Sequence, residues 1–169
     1  VKHVAWHAGK SMWKKNKNLN KNSIGIELVN KGHKFGYQKF TKIQIKSLIS
    51  LCKKLKKKYK IKNNFILAHS DIAPIRKIDP GEKFPWQYLS INGIGNYPKK
   101  IDIKDKYKKT QNKGLFFKNL YKIGYRYLNS KYKTKIIKNF QRKYRQKKIN
   151  GIIDFETLKL SQILSKSLN

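Results

Sequence analysis

Acidic residues are scarce in this chain: eight Asp and Glu stand against 42 Lys and Arg among 169 residues, for a net charge of +34. Arginine is scarce too. Only Arg76, Arg126, Arg142 and Arg145 carry a guanidinium, so lysine supplies nearly all of the charge. A single cysteine, Cys52, excludes an internal disulfide and a cysteine-rich zinc site. It stands among Leu48, Leu51 and Leu55 and reads as a helix-core thiol. No apolar run approaches the roughly 18 residues of a membrane helix, so no transmembrane segment is expected. The opening VKHVAWHAGK has no apolar stretch of the secretory kind. What remains, 38% apolar residues, suffices for a core. The length fits one domain, or one compact domain with a small companion.

A charge of this size first suggests a nucleic acid or another anionic surface as partner. The lysines argue for a blander origin. Phosphate and base readout favour the planar fork of arginine, whereas Lys, Asn and Ile are spread evenly here. The pattern is that of compositional drift, and no specific nucleic-acid partner is expected. Drift makes the surviving acids informative. They are Glu27, Asp71, Asp79, Glu82, Asp102, Asp105, Asp154 and Glu156.

Ser23–Asn30, SIGIELVN, alternates around one acid and reads as a strand. Thr41 and Gln44 have capping-box spacing. Ile45, Leu48, Cys52, Leu55 and Tyr59 then recur at helical spacing, which predicts an amphipathic helix over 42–59 with a lysine-rich outer face. Asn64–Ser70, NFILAHS, reads as a second, buried strand ending at His69. Residues 71–86 hold three prolines and a glycine and read as a loop, with a short helix over 86–91 after it. A polar, charged linker follows Tyr97. Beyond it, helical patterns cover 115–128, 133–146 and 155–168, the last with Asp154 as N-cap. The expected architecture is α/β, a mixed sheet flanked by helices, followed by a small three-helix bundle. The expected boundaries are 1–98 and 110–169.

Three pieces could carry chemistry. Glu27 lies between Ile26 and Leu28. A carboxylate enclosed by such neighbours loses solvation and suits general acid–base work. Alternation equally allows it to point outward from an edge strand. His69 ends a strand, and Asp79 follows ten residues later. Imidazole nitrogen and carboxylate oxygen are both ordinary zinc ligands. Lys77, two residues before Asp79, could bring an ammonium to the oxyanion of an attacked amide. The third piece, Trp6-His7-Ala8-Gly9, also fits an aromatic anchor followed by a turn.

In combination, WHAG, SIGIEL, AHSDIAPIRKIDPG and FPW resemble the zinc-dependent N-acetylmuramoyl-L-alanine amidases of type 2, the peptidoglycan-recognition-protein-like family, and most of all its AmiD branch. The likeness runs from Trp6 to about Tyr97. It implies that His69 and Asp79 are the second and third ligands of Zn2+. It makes Glu27 the catalytic glutamate and Lys77 the lysine that stabilises the transition state. Trp6, His7 and Arg76 would line the substrate groove. Asn139-Phe140-Gln141-Arg142, then Gly151, Asp154 and Thr157, is similar to the signature of the three-helix peptidoglycan-binding module.

The resemblance implies cleavage of the amide between N-acetylmuramic acid and L-alanine, with peptidoglycan or muropeptides as partners. The expected location is the cell envelope or periplasm, either free or with an outer-membrane anchor in a full-length form, with the cytoplasm as the alternative, and the expected state is a monomer. The resemblance also implies a first zinc-ligand histidine on an early strand well upstream of WHAG. His3 is too near WHAG to be its counterpart, so two of three ligands are expected in this chain. The rival expectation is a non-catalytic peptidoglycan-binding remnant.

Overall fold

A computed structural model describes residues 3–98, 107–110, 112–128 and 131–167. The longest element, α1 (Lys42–Tyr59), begins where the sequence asks for it. Thr41 Oγ1 accepts from Gln44 N at 3.2 Å, and Gln44 Oε1 accepts from Thr41 N at 2.9 Å. Two orphan amides at the helix start are thereby satisfied. Ile45, Leu48, Ile49 and Cys52 form the buried stripe. They pack with Ala68, Phe84, Trp86, Leu89 and Ile94 into one apolar cluster, with α3 (Trp86–Ile91) supplying Trp86 and Leu89.

A second cluster is built by α4 (Lys113–Ile123), α5 (Lys133–Tyr144) and α6 (Phe155–Lys166). Phe116, Leu120, Ile136 and Phe140 are completely buried in it. Each such side chain stabilises the fold by about 1.5–3 kcal/mol relative to exposure. Helix α4 ends at Ile123 with Gly124 as its C-cap, short of the 128 expected, and α5 ends at Tyr144.

The resemblance to a peptidoglycan-binding signature acquires a physical account here. Phe140 fills the core. Gln141 Oε1 accepts from Asn150 N at 3.0 Å and Gly151 N at 2.9 Å, while its Nε2 donates to Ile152 O at 2.9 Å. Gly151 has φ +77, and a Cβ there would stand 2.7 Å from Thr134 Cγ2. Asp154 then caps α6, with its Oδ1 accepting from Thr157 N at 3.0 Å. Its other carboxylate oxygen takes the buried Arg145 guanidinium.

Residues of both parts of the chain share one apolar cluster. Ala8, Trp13 and Leu19 sit in the same cluster as Phe116, Phe140 and Leu158, and Trp13 meets Tyr125 edge-on at 5.0 Å. Most of the expected linker, between 99 and 106 and at 111, lies outside the described residues.

The α/β class holds, with a small sheet among the six helices of the described residues, and the correction concerns the two expected strands, 23–30 and 64–70. Among the described residues the sheet is a short antiparallel hairpin, β1 (Met12–Trp13) with β2 (Asn16–Lys17), and Lys109 makes a separate antiparallel bridge with Asp154. Residues 23–30 take no ladder, and Ile24, Ile26 and Val29 are exposed. Residues 64–70 form a 3-10 turn, Asn63–Phe65, and the opening of α2 (His69–Ile72). A strand needs a neighbour for its backbone amides and carbonyls, and no described segment offers one to either stretch.

Candidate active site

The candidate site is assembled from WHAG and the loop that leaves α2. His69 opens α2, and Asp79 lies across the loop from it. His69 Nδ1 and Asp79 Oδ2 are 3.0 Å apart. The loop folds back on the helix, so that Ser70 N donates to Asp79 O at 3.1 Å. Burial pushes the Asp79 carboxyl up. The hydrogen bond and charge of His69, together with the Lys77 ammonium, outweigh that and hold it below the usual carboxylate value.

WHAG approaches the same pair. His69 Nε2 lies 3.3 Å from Ala8 O, and Ala8 is buried. The Arg76 guanidinium crosses this carbonyl, donating to Ala8 O and, at 3.2 Å, to Lys10 O. It also stands 3.5 Å from His69 Nε2. Gly9 makes this crossing possible. It has φ +55, and a Cβ there would lie 2.7 Å from Arg76 Nη2.

His7, next in WHAG to Ala8, holds the start of the 23–27 segment. Its Nε2 meets Ser23 Oγ at 2.8 Å, and a Cβ at Gly25 would lie 2.7 Å from the His7 ring. Two residues on, Glu27 is exposed rather than enclosed between Ile26 and Leu28. Among the described residues it enters no ion pair, although Asp71, Asp79, Glu82, Asp154 and Glu156 all do. Trp6 is 90% exposed and Lys77 half-buried.

His69 and Asp79 fit a metal as two adjacent donors of suitable chemistry, one nitrogen and one oxygen. A group of three His, Cys, Asp or Glu able to hold an ion is absent among the described residues. Among the described residues, a zinc centre would therefore draw two donors, His69 and Asp79, from those residue types.

Sequence reasoning missed the support beneath the site. Asp71 is buried, and its Oδ2 accepts from Ala68 N at 2.8 Å and from Lys143 Nζ at 2.5 Å. Tyr125 donates its hydroxyl to Oδ1 at 2.5 Å. Asn139, also buried, donates to Pro74 O at 3.0 Å and Lys77 O at 2.9 Å. The hint was available in the composition: Asp71 is one of only eight acids, and it lies two residues after His69.

Residues 1–82 match the family model Amidase_2, N-acetylmuramoyl-L-alanine amidase. The N-acetylmuramoyl-L-alanine amidase AmiD of Escherichia coli K12 is 47% identical over 100 residues, covering 56% of this chain and 36% of that protein. The 1,6-anhydro-N-acetylmuramyl-L-alanine amidase AmpD of Haemophilus influenzae is 44% identical over 88 residues, 51% of this chain and 46% of AmpD. The chain thus spans less than half the length of these curated relatives. In three dimensions it is similar to E. coli AmiD in complex with anhydro-N-acetylmuramic acid-L-Ala-D-gamma-Glu-L-Lys. That likeness has a TM-score of 0.87 at 34% identity and covers 98% of this chain and 69% of the other. AmpDH3 from Pseudomonas aeruginosa, in complex with an anhydromuramic pentapeptide, aligns with a TM-score of 0.85 at 29% identity, over 98% and 70% of the two chains. The chain belongs to the type-2 N-acetylmuramoyl-L-alanine amidase family, on its AmiD branch.

Proposed function

We propose that this chain hydrolyses the amide joining N-acetylmuramic acid to the L-alanine of the stem peptide, acting on peptidoglycan or its muropeptides in the cell envelope. The observation that carries the reading is the convergence of His69 Nδ1 and Asp79 Oδ2 at 3.0 Å, beside WHAG. Similarity to relatives whose structures hold anhydromuramyl peptides supports it.

His69 and Asp79 would hold Zn2+ together with a donor outside the described His, Cys, Asp and Glu set. Zinc, when bound, supplies a water of lowered pKa and polarises the amide carbonyl. Glu27, the described carboxylate without an ion pair, takes the proton of the attacking water and returns it to the leaving alanine nitrogen. Lys77 brings an ammonium toward the carbonyl oxygen as negative charge develops there. Its charge already acts on Asp79. Trp6, with its indole exposed beside His7, offers an apolar face to the sugar or lactyl group. Arg76 reaches the same edge and suits the carboxylates of a stem peptide.

A second reading is favoured by the two-donor site: a peptidoglycan-binding protein that keeps the groove without turnover. One experiment separates them. The purified chain is loaded with zinc, its metal content is measured, and stem-peptide release from anhydromuramyl peptides is followed by mass spectrometry. One zinc per chain with peptide release supports the amidase. Retention on sacculi with neither zinc nor release supports the binding remnant.

A further inference from the structure

We infer that helix α5 positions the site loop, with Asn139 and Lys143 as positioning residues for His69 and Asp79. The inference rests on the reading of those two residues as the metal-holding pair. Asn139 and Lys143 are four residues apart on one helix and so share a face. Both side chains are almost wholly buried, at 2% and 4% exposure.

Their targets all lie on residues 68–79. Asn139 Nδ2 donates to Pro74 O and Lys77 O. Those carbonyls belong to a Pro-containing loop, whose backbone lacks a regular ladder to satisfy it. Lys143 Nζ donates to Asp71 Oδ2, the same oxygen that accepts from Ala68 N. Ala68 and Asp71 bracket His69, so fixing Asp71 fixes the first turn of α2. Lys143 is enclosed further by the Trp86 ring, 4.3 Å from its ammonium, and the Tyr144 ring at 5.2 Å. The segment bearing His69, Arg76, Lys77 and Asp79 is therefore anchored at residues 71, 74 and 77 from one helix face.

This assigns a second task to the helix that carries the wall-binding signature. Phe140 and Gln141 on α5 serve the core and the 150–152 turn of the C-terminal bundle. Asn139 and Lys143 point instead to the site loop. Hydrogen bonds that orient ligand-bearing groups commonly contribute about 10- to 100-fold to metal affinity or activity.

The test uses the full chain and the Asn139→Asp variant, which sets an acceptor against the two carbonyls while keeping size. Three quantities are read: the 15N resonances of the His69 ring without metal, the zinc affinity, and kcat and KM for an anhydromuramyl peptide. The expected result is a folded variant in which the His69 resonances shift. Zinc affinity should fall about 10- to 100-fold, and kcat should fall more than KM changes. Asn139→Ala, which removes the donor without adding an acceptor, should move the same readouts by less. A folded Asn139→Asp with unmoved His69 resonances and unchanged zinc affinity overturns the proposal. So does failure of both variants to fold, because positioning requires a folded chain with a displaced loop. If the unsubstituted chain binds no zinc and turns over no peptide, the amidase reading fails by itself, and the His69 resonances still decide the positioning role.

Discussion

The Lys143 ammonium donates to the Asp71 carboxylate at 2.5 Å, and both side chains are almost entirely removed from solvent. In a chain of net charge +34, this lysine sits at the junction between the amidase-like region and the C-terminal helices. The Asp71 charge and hydrogen bond hold the Lys143 ammonium above its ordinary pKa, although burial alone would depress it. Tyr125 is pushed well above its ordinary value by burial and by the same carboxylate, so it remains a donor.

Breaking that pair from one side should be costly. Lys143→Met leaves Asp71 buried with only the Ala68 amide and the Tyr125 hydroxyl. The loss should be about 3–5 kcal/mol, because a buried charge is left uncompensated. Adding Asp71→Asn to the same chain should recover a large part of it. Urea unfolding of the two variants and the unsubstituted chain measures both steps. Equal midpoints for Lys143→Met and the unsubstituted chain would show that the pair contributes nothing.

Much of the local order was legible. Thr41 and Gln44 form their capping box, Asp154 caps α6, and Cys52 sits in the apolar stripe of α1 because its spacing is helical. His69 and Asp79 were singled out by residue type, and the loop brings them together. The stretches 23–30 and 64–70 failed as strands for one shared reason. Alternation records which faces are apolar, but strand pairing depends on a second segment that local sequence does not reveal. Lys143 was illegible for a related reason. Within so many lysines nothing local marks the one that meets Asp71, 72 residues away.

Glu27 provides the sharpest test of the chemistry. If it moves the proton, Glu27→Gln should abolish stem-peptide release while leaving zinc content intact, because among the described residues the side chain enters no ion pair and caps no element. General acid–base catalysis commonly contributes 10²–10⁴-fold, so kcat should fall by about that factor. Unchanged turnover in a zinc-loaded chain would remove Glu27 from the mechanism.

The Glu82 carboxylate should make stability depend on acid. Burial pushes it up. The His33 hydrogen bond at 3.1 Å and the nearby Arg142 charge prevail, and its folded value lies below the ordinary 4.5. A depressed carboxylate contributes stability that is present above its unfolded value and lost as pH falls through the folded one. The thermal midpoint should therefore drop on acidification below about pH 4.5. Part of that drop should disappear in Glu82→Gln. Identical pH profiles for the two chains would show that the contact adds no stability.

The overall charge leads to a prediction about partners. Around α1, Lys46, Lys53, Lys54, Lys57 and Lys58 are all exposed, on most of the outer circumference and not along one stripe. On and just after α5, Lys133 and Lys147 are exposed while Lys143 is buried. A nucleic-acid surface concentrates its cations on one face and draws on arginine for readout, and neither feature is present in this distribution. Binding to RNA should then be indifferent to sequence and steeply salt-dependent, fading near physiological ionic strength as counterion release weakens. Retention on sacculi should persist there, because a shaped C-terminal module does not depend on charge alone. Parallel pull-downs on sacculi and on RNA across a salt series decide between the two. Retention on RNA and loss from sacculi at physiological salt would overturn the wall-directed reading and make the lysines themselves the functional surface.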